Sequence, residues 1–526
     1  MTTASSAPGL LGRLLDRVER VGNALPDPIT LFAMLAVAVV GVSWLASALG
    51  VSAVHPGTGE TVTVVNLLSA EGFRRMMTEA VDNFTAFPPL GLVIVVIIGI
   101  GVTERSGLIS AALRSLLQAV PDSFLTATLV FAGIMSNVAV DAGYVVVVPM
   151  GAVLFAAAGR HPLAGLAAAF AGVSAGFSAN LLITSLDPLL SGLTQEGAQL
   201  IDQAYEVQPT ANYWFMLAST FVLTALGAWV TTRFVEPRLG EWDPSDAAED
   251  AGSMEVEEVT GRERQGLVAA GITTLVLVVL FAILVVPSGA PMRDPAAVAA
   301  GEPWYIQVRP FLDGIVTLLM LGFLLVGLAY GVVAGTIRSD RDVARMSSEA
   351  VAVLGSYIVL AFAAAQFVAW FGWSNLGLIV AIRGAELLQG IGFTGLPMIM
   401  AFVVVAAFIN LFIGSASAKW AVMAPVFVPM LMLTGYSPEM VQAAYRVGDS
   451  TTNIITPLMP YFPVIIAFAQ RWDRKSGLGT LISAMLPYSV VFLLGWLLMF
   501  AVWVLLGLPL GPGAPLEYAA AVGVGG

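Results

Sequence analysis

The 526-residue chain has no cysteine and only two histidines, His55 and His161. Disulfides, thiolate metal sites and thiol redox chemistry are excluded, and two loop histidines are too few for a metal cluster. Charge is scarce, at 11% of residues against about 25% in a soluble domain. No Gly-x-x-x-x-Gly-Lys-Ser/Thr run is present, so ATP is not the expected energy source. An intramembrane aspartyl protease would pair acids such as Asp187 and Asp449, but Val447-Gly448-Asp449 lacks a Gly-x-Gly-Asp arrangement. Neither enzymatic activity nor an organic cofactor is expected. No nucleic-acid partner is expected either.

What the chain has in excess is apolar length, 58% of its residues being hydrophobic. A hydrocarbon core of about 30 Å needs about 20 apolar residues per helix. Full-length candidates are 29–49, 84–103, 213–232, 267–287, 311–335, 350–371 and 482–507. The intervals 124–188 and 394–469 are also apolar, but Gly, Pro and polar residues interrupt them. The expected fold is an all-α polytopic membrane protein with about nine spans plus re-entrant pieces, the lipid bilayer being its first partner.

The net charge is concentrated. Residues 236–263 hold ten acids against Arg238 and Arg262, which reads as a solvated connector and says nothing about substrate. This divides the chain into an N-terminal segment 1–27, a first half 28–235, an acidic cytoplasmic loop 236–266, a second half 267–510 and a tail 511–526. Residues 1–28 read as a cytoplasmic amphipathic lead-in and not as a signal peptide. Basic clusters at Arg13/Arg17/Arg20, Arg105/Arg114, Arg233/Arg238/Arg262/Arg264, Arg338/Arg341/Arg345 and Arg471/Arg474/Lys475 mark cytoplasmic ends. Residues 50–83 and 288–310 are the expected outer loops, with Arg74-Arg75 running against that assignment.

Two polar stretches resemble each other. One runs Asn137, Pro149, Pro162, Asn180, Asp187, Pro188; the other Asn410, Pro425, Pro438, Asp449, Asn453, Pro457. Pro149 to Pro162 and Pro425 to Pro438 share a spacing of 13, and Asn180-Leu-Leu-Ile-Thr184 echoes Asn453-Ile-Ile-Thr456. Acids (Glu196, Asp202, Glu206) follow the first stretch, whereas Arg471, Arg474 and Lys475 follow the second. Matching points therefore face opposite sides, the signature of inverted-topology repeats. Duplicated, broken, polar segments point to a carrier; a channel is disfavoured because they imply alternating access.

Polar groups in a membrane persist where they line a cavity. Asn410, Asp449 and Asn453 offer oxygens to a cation such as Na⁺, while Asp449 is equally able to take up a proton. Arg446 and Lys419 are donors for an anionic solute, Arg446 being better suited to a carboxylate. Trp420 offers a stacking face and Ser417 a hydroxyl. Plainer readings stand beside these. Arg446 and Asp449, three apart, form a helix ion pair; Lys419 snorkels; Trp420 belongs to an interfacial belt; Pro438 shapes a turn; Gly414-Ser-Ala-Ser serves close helix packing.

Asn137-Val-Ala-Val-Asp141-Ala-Gly-Tyr144, Ser178-Ala-Asn180, Asp187-Pro-Leu-Leu-Ser-Gly192, Gly414-Ser-Ala-Ser-Ala-Lys-Trp420 and Arg446-Val-Gly-Asp-Ser-Thr-Thr-Asn453-Ile-Ile-Thr-Pro457 together resemble the p-aminobenzoyl-glutamate transporter (AbgT) family. The resemblance spans essentially the whole chain. It implies a bowl-shaped homodimer in the bacterial inner membrane, with nine spans and two re-entrant hairpins per protomer. It also implies uptake of p-aminobenzoyl-glutamate or export of sulfonamide antimetabolites. By motif it points to Asp187, Asn410, Gly414, Trp420, Pro438, Arg446, Asp449 and Pro457; Asn180 and Asn453 join them from the repeat. The expected division puts Trp420, Arg446, Ser417, Asp187, Asn180, Pro438 and Pro457 on the solute, and Asn410, Gly414, Asp449 and Asn453 on the coupling Na⁺ or H⁺.

Overall fold

A computed structural model describes residues 26–54, 56, 59–138, 143–243, 258–352, 354–392, 394–456 and 458–518. Among them, seven helices are long and apolar enough to cross a membrane: Pro28–Ala48, Pro88–Arg105, Tyr213–Leu239, Gly261–Val285, Ile315–Ala334, Gly355–Trp373 and Leu478–Leu505. Each corresponds to one of the seven uninterrupted apolar runs. Boundaries shift where local chemistry decides them. Residues 84–87 fall outside the span expected over 84–103, because Pro88 sits at the first helical position and fixes the start. Thr260 and Glu263 form a capping box that starts the next span at Gly261, earlier than apolarity alone places it. Gly261–Val285 is only 6% buried over its apolar window, its packed face marked by Gly266, Ala270 and Leu277.

The all-α expectation needs one amendment, a small antiparallel ribbon pairing Ser52–Val54 with Thr61–Thr63. Residues 511–518 are not a loose tail. The backbone N–H of Ser437 donates to Leu516, its hydroxyl to Pro515, and Tyr518 N–H donates to Gly435. The N-terminal lead-in, residues 139–142 with Asp141, most of the acidic loop, His55 and Pro457 lie outside the described residues.

The interrupted intervals resolve into short helices in a recurring order. In the first half, Leu108–Gln118 and Asp122–Val138 meet at a 116° bend. Val148–Ala157 follows, then Pro162–Phe170 running on through a wide turn to Ala175, a non-helical break, and Leu186–Ala198. In the second half the order is Leu376–Gly390, Leu396–Asn410, Ala416–Met432, Pro438–Thr451, a break, and Phe462–Trp472. Pro162 and Pro438 each open the innermost helix. Asn410–Trp420 is a helix end, a five-residue break and a capped helix start. The Ser415 hydroxyl accepts from Ala418 N–H at 3.3 Å.

Ten residues after those prolines stand Gly172 and Gly448, which set how closely the inner helices approach their neighbours. A Cβ at Gly172 would lie 2.3 Å from the Val130 carbonyl, and one at Gly448 2.4 Å from the Val403 carbonyl. Gly271, on a lipid-exposed helix, has nothing within 4 Å of that position. We expect Gly448→Val to destabilise purified protein by at least about 1–3 kcal/mol, because the backbone must move. Gly271→Val should leave thermal unfolding in detergent unchanged; equal melting of the two variants would contradict the packing account.

Candidate functional site

The break at residues 176–185 turns the backbone of the first half toward the inner helix of the second. Thr184 anchors it, since its N–H and hydroxyl donate to Asp187 Oδ2 at 2.7 and 3.0 Å. The other oxygen of Asp187 receives Arg446 Nη1 at 2.6 Å, and Arg446 Nη2 donates to the Ser178 carbonyl at 2.9 Å. Arg446 is 2% exposed. Its charge is therefore balanced from across the repeat boundary, by a residue 259 positions away. Ser178 N–H also donates to the Ser450 hydroxyl at 3.2 Å, a second tie between break and helix.

Arg446 and Asp449 do not pair with each other. Asp449 Oδ1 accepts from the Lys419 ammonium and, at 3.3 Å, from the Tyr445 hydroxyl. Lys419 also donates to Asn410 Oδ1 at 2.5 Å. The Asn410 amide lies 2.7 Å from the Asp449 carbonyl, 2.9 Å from the Thr452 hydroxyl and 2.8 Å from Asn453 Oδ1. Asn410, Asp449 and Asn453 thus do meet, but the side-chain oxygens of Asn410 and Asp449 hold an ammonium group and Asn453 joins through the Asn410 amide. Lys419 is fully buried, which overturns its reading as a snorkelling side chain. Asn180 braces the first break, with its amide on the Ile134 carbonyl and its oxygen accepting from Leu182 N–H.

Trp420 is fully buried, so the interfacial-belt reading fails. Its ring stacks on Tyr445 at 4.2 Å, and its Nε1 donates to the Thr194 hydroxyl at 2.9 Å. Pro438 stands at the first position of its helix, two turns from Arg446, where the Ser437 hydroxyl caps the Met440 N–H. Gly414 packs against the Leu458 backbone, its Cβ position being 2.8 Å from that carbonyl.

Between the two broken regions is a cavity of about 310 Å³. Phe177, Thr184 and Ser185 line it from the first half, and Ser415, Ser417 and Tyr357 from the second. Ser417 is the single proposed solute residue in its wall. Phe177 adjoins Ser178, and Ser185 precedes Asp187 by two residues, so the Arg446–Asp187 pair lies just behind that wall. Among the described residues no group of three His, Cys, Asp or Glu side chains stands ready to hold a metal ion.

A family model described as the "AbgT putative transporter family" matches residues 13–518. The p-aminobenzoyl-glutamate transport protein of Escherichia coli (strain K12) is 38% identical over 502 residues, covering 95% of this chain and 96% of that one. The chain belongs to the AbgT transporter family. It is a multi-span membrane transporter and not an enzyme. Two solved AbgT-like structures superpose on it. The YdaH transporter of Alcanivorax borkumensis, described as having an unusual topology, is 45% identical with a TM-score of 0.87, covering 93% of this chain and all of that one. MtrF of Neisseria gonorrhoeae, described as illuminating a class of antimetabolite efflux pumps, is 45% identical with a TM-score of 0.90, covering 97% and 100%.

In this AbgT chain Thr184 and Ser178 stand in the motif stretches without an assigned role, and Thr194 and Tyr357 were not singled out by the sequence. Thr184 had a signal, since a hydroxyl residue three before an acid at a helix start commonly shares its hydrogen bonds. Tyr357 had none, because it lies in an ordinary apolar span.

Removing one member of a buried ion pair leaves the other charge uncompensated, at a cost of about 3–5 kcal/mol. Lys419→Met should therefore lower thermal stability sharply, and Lys419→Met with Asp449→Asn should recover most of the loss. Melting curves of the purified variants check this; equal stability of the single and double variants would contradict the pairing.

Proposed function

We propose that the chain is an ion-coupled secondary transporter of p-aminobenzoyl-glutamate-like aromatic carboxylates across the bacterial inner membrane. The observation that carries this reading is the buried Arg446–Asp187 pair behind a cavity lined by aromatic rings and hydroxyls. The 38% identical relative named as a p-aminobenzoyl-glutamate transport protein supports the choice of solute. In this reading Asp187 is the internal stand-in for a solute carboxylate. A solute anion reaching Arg446 competes with Asp187 for the guanidinium, and the bond it breaks is the one tying the first break to the second half. Binding energy is thereby converted into freedom of that break to move. Trp420, stacked on Tyr445, holds the helix face carrying Arg446 in register.

Coupling is assigned to Lys419, Asp449, Asn410 and Asn453. The ammonium sits among the oxygens that a Na⁺ would otherwise use. Either Na⁺ or a proton arriving at Asp449 must displace it, which makes occupancy by the coupling ion and by Lys419 mutually exclusive. The two halves are read as inverted repeats on the strength of their recurring helix order and opposite flanking charges. The nine-span homodimer belongs to the same proposal.

A second reading is export of sulfonamide antimetabolites driven by the proton gradient, favoured by the 45% identity to MtrF. The fold is the same and the net flux opposite.

Radiolabelled p-aminobenzoyl-glutamate flux in proteoliposomes, with Na⁺ and pH gradients imposed separately, tests both. We expect flux under one gradient and none in Arg446→Ala, with the variant still present in the membrane. Flux surviving in Arg446→Ala sinks the anion-clamp role, whereas wild-type flux of a labelled sulfonamide alone favours export. Tyr357 lines the cavity, and its hydroxyl is buried just behind that wall without a hydrogen-bond partner. Tyr357→Phe should therefore weaken solute binding about three- to tenfold while leaving melting unchanged or raised, since it removes a donor unsatisfied in the empty protein. Unchanged affinity would show that this hydroxyl does not meet solute.

A further inference from the structure

Helix Gly261–Val285 ends, and helices Ile315–Ala334 and Tyr213–Val230 begin, around a second cavity of about 480 Å³. It shares no lining residue with the cavity between the breaks. The volume is in the range of about 300–1,000 Å³ usual for small-molecule sites. Most of the wall is apolar or aromatic, with Leu182, Trp214, Trp304 and Phe311 among its members.

Two polar side chains in that wall lack partners. Arg293 Nε is buried and makes no hydrogen bond. Arg309, on the same connection, is held by Glu206 and Asp313, but no carboxylate among the described residues pairs with the Arg293 guanidinium. The Thr210 hydroxyl is likewise buried and unpartnered, in a residue 4% exposed. The remaining hydroxyl, that of Tyr213, is already committed to the Leu181 carbonyl at 3.0 Å. Buried donors are normally satisfied, so two unsatisfied ones in residues that line one cavity mark where a partner belongs.

The chemistry of the wall defines that partner. A guanidinium selects a carboxylate or a phosphate, which it grips through parallel N–H donors. The rings around it select an apolar or aromatic body. We propose that this cavity binds one amphipathic anion, its head on Arg293 and Thr210 and its body among Trp214, Trp304 and Phe311. Two sources share this chemistry: an anionic phospholipid, whose head group lies where spanning helices start and stop, and an aromatic carboxylate of the transported kind. Either occupant packs against Leu181–Ile183, the strip between Asn180 and the Thr184–Asp187 anchor. The site therefore bears on the break that Arg446 holds from its other side.

The test uses full-length protein and the variants Arg293→Gln, Arg293→Lys and Thr210→Val. Native mass spectrometry compares retention of phosphatidylglycerol with that of phosphatidylcholine, and equilibrium dialysis counts p-aminobenzoyl-glutamate bound per chain. We expect wild type to retain phosphatidylglycerol preferentially. Arg293→Gln should lose that preference by about tenfold, as befits a charged hydrogen bond. Arg293→Lys should recover part of it, and Thr210→Val should lose a smaller share. A second bound p-aminobenzoyl-glutamate that disappears in Arg293→Gln would support the site and assign its occupant to the solute. Identical lipid retention and solute stoichiometry in wild type and Arg293→Gln would overturn it. The solute arm rests on the function proposed above; a wild type that binds no p-aminobenzoyl-glutamate defeats that function and leaves the lipid arm standing.

Discussion

A guanidinium buried in a membrane protein must find its counter-charge inside the protein, and for Arg446 that charge is Asp187. Much of the architecture can be read as what is needed to deliver it. Asp187 reaches Arg446 because the chain breaks at 176–185, and the break stays in place because Thr184 and Asn180 satisfy it from within. The inner helix Pro438–Thr451 presents Arg446 at the right depth because Gly448 lets it press against the Val403 backbone. Pro438 and the Ser437 cap fix where that helix begins.

The second buried pair, Lys419 with Asp449, is held by the same helix one turn further on. Each pair is neutral as a unit, which reduces the cost of burying four charges in a region that excludes water. The two pairs differ in what they join. Arg446–Asp187 crosses between the halves, whereas Lys419–Asp449 stays within the second half and closes a network with Asn410 and Asn453. On the function proposed above, the first is the solute-sensitive tie and the second the ion-sensitive one, both on one helix. A single turn of backbone separates Arg446 from Asp449.

The seven long spans were legible in the sequence because an uninterrupted apolar run in lipid has few alternatives to a helix. Their ends were less so, being set by Pro88 and by the Thr260–Glu263 box instead of by apolarity. That Asp187, Asn410, Arg446 and Asp449 sit as polar groups inside the protein was legible because polar residues are conspicuous in an apolar setting. Their partners were not. Arg446 and Asp449 lie three apart and look like a pair, but the break brings Asp187 from 259 residues away and the 411–415 turn brings Lys419. Trp420 gave no sign of direction, since a tryptophan beside a lysine fits an interfacial belt as well as a buried stack. Tyr357, Arg293 and Thr210 were invisible because their significance lies in hydrogen bonds they do not make.

The central claim is that Asp187 competes with the solute for Arg446. Isothermal titration of p-aminobenzoyl-glutamate into Asp187→Asn protein tests it most directly, since asparagine keeps the shape and an acceptor oxygen but removes the rival charge. The account predicts solute binding several-fold tighter than in wild type. Weaker or absent binding in a folded Asp187→Asn variant would contradict it, because Asp187 would then be a solute ligand and not a competitor.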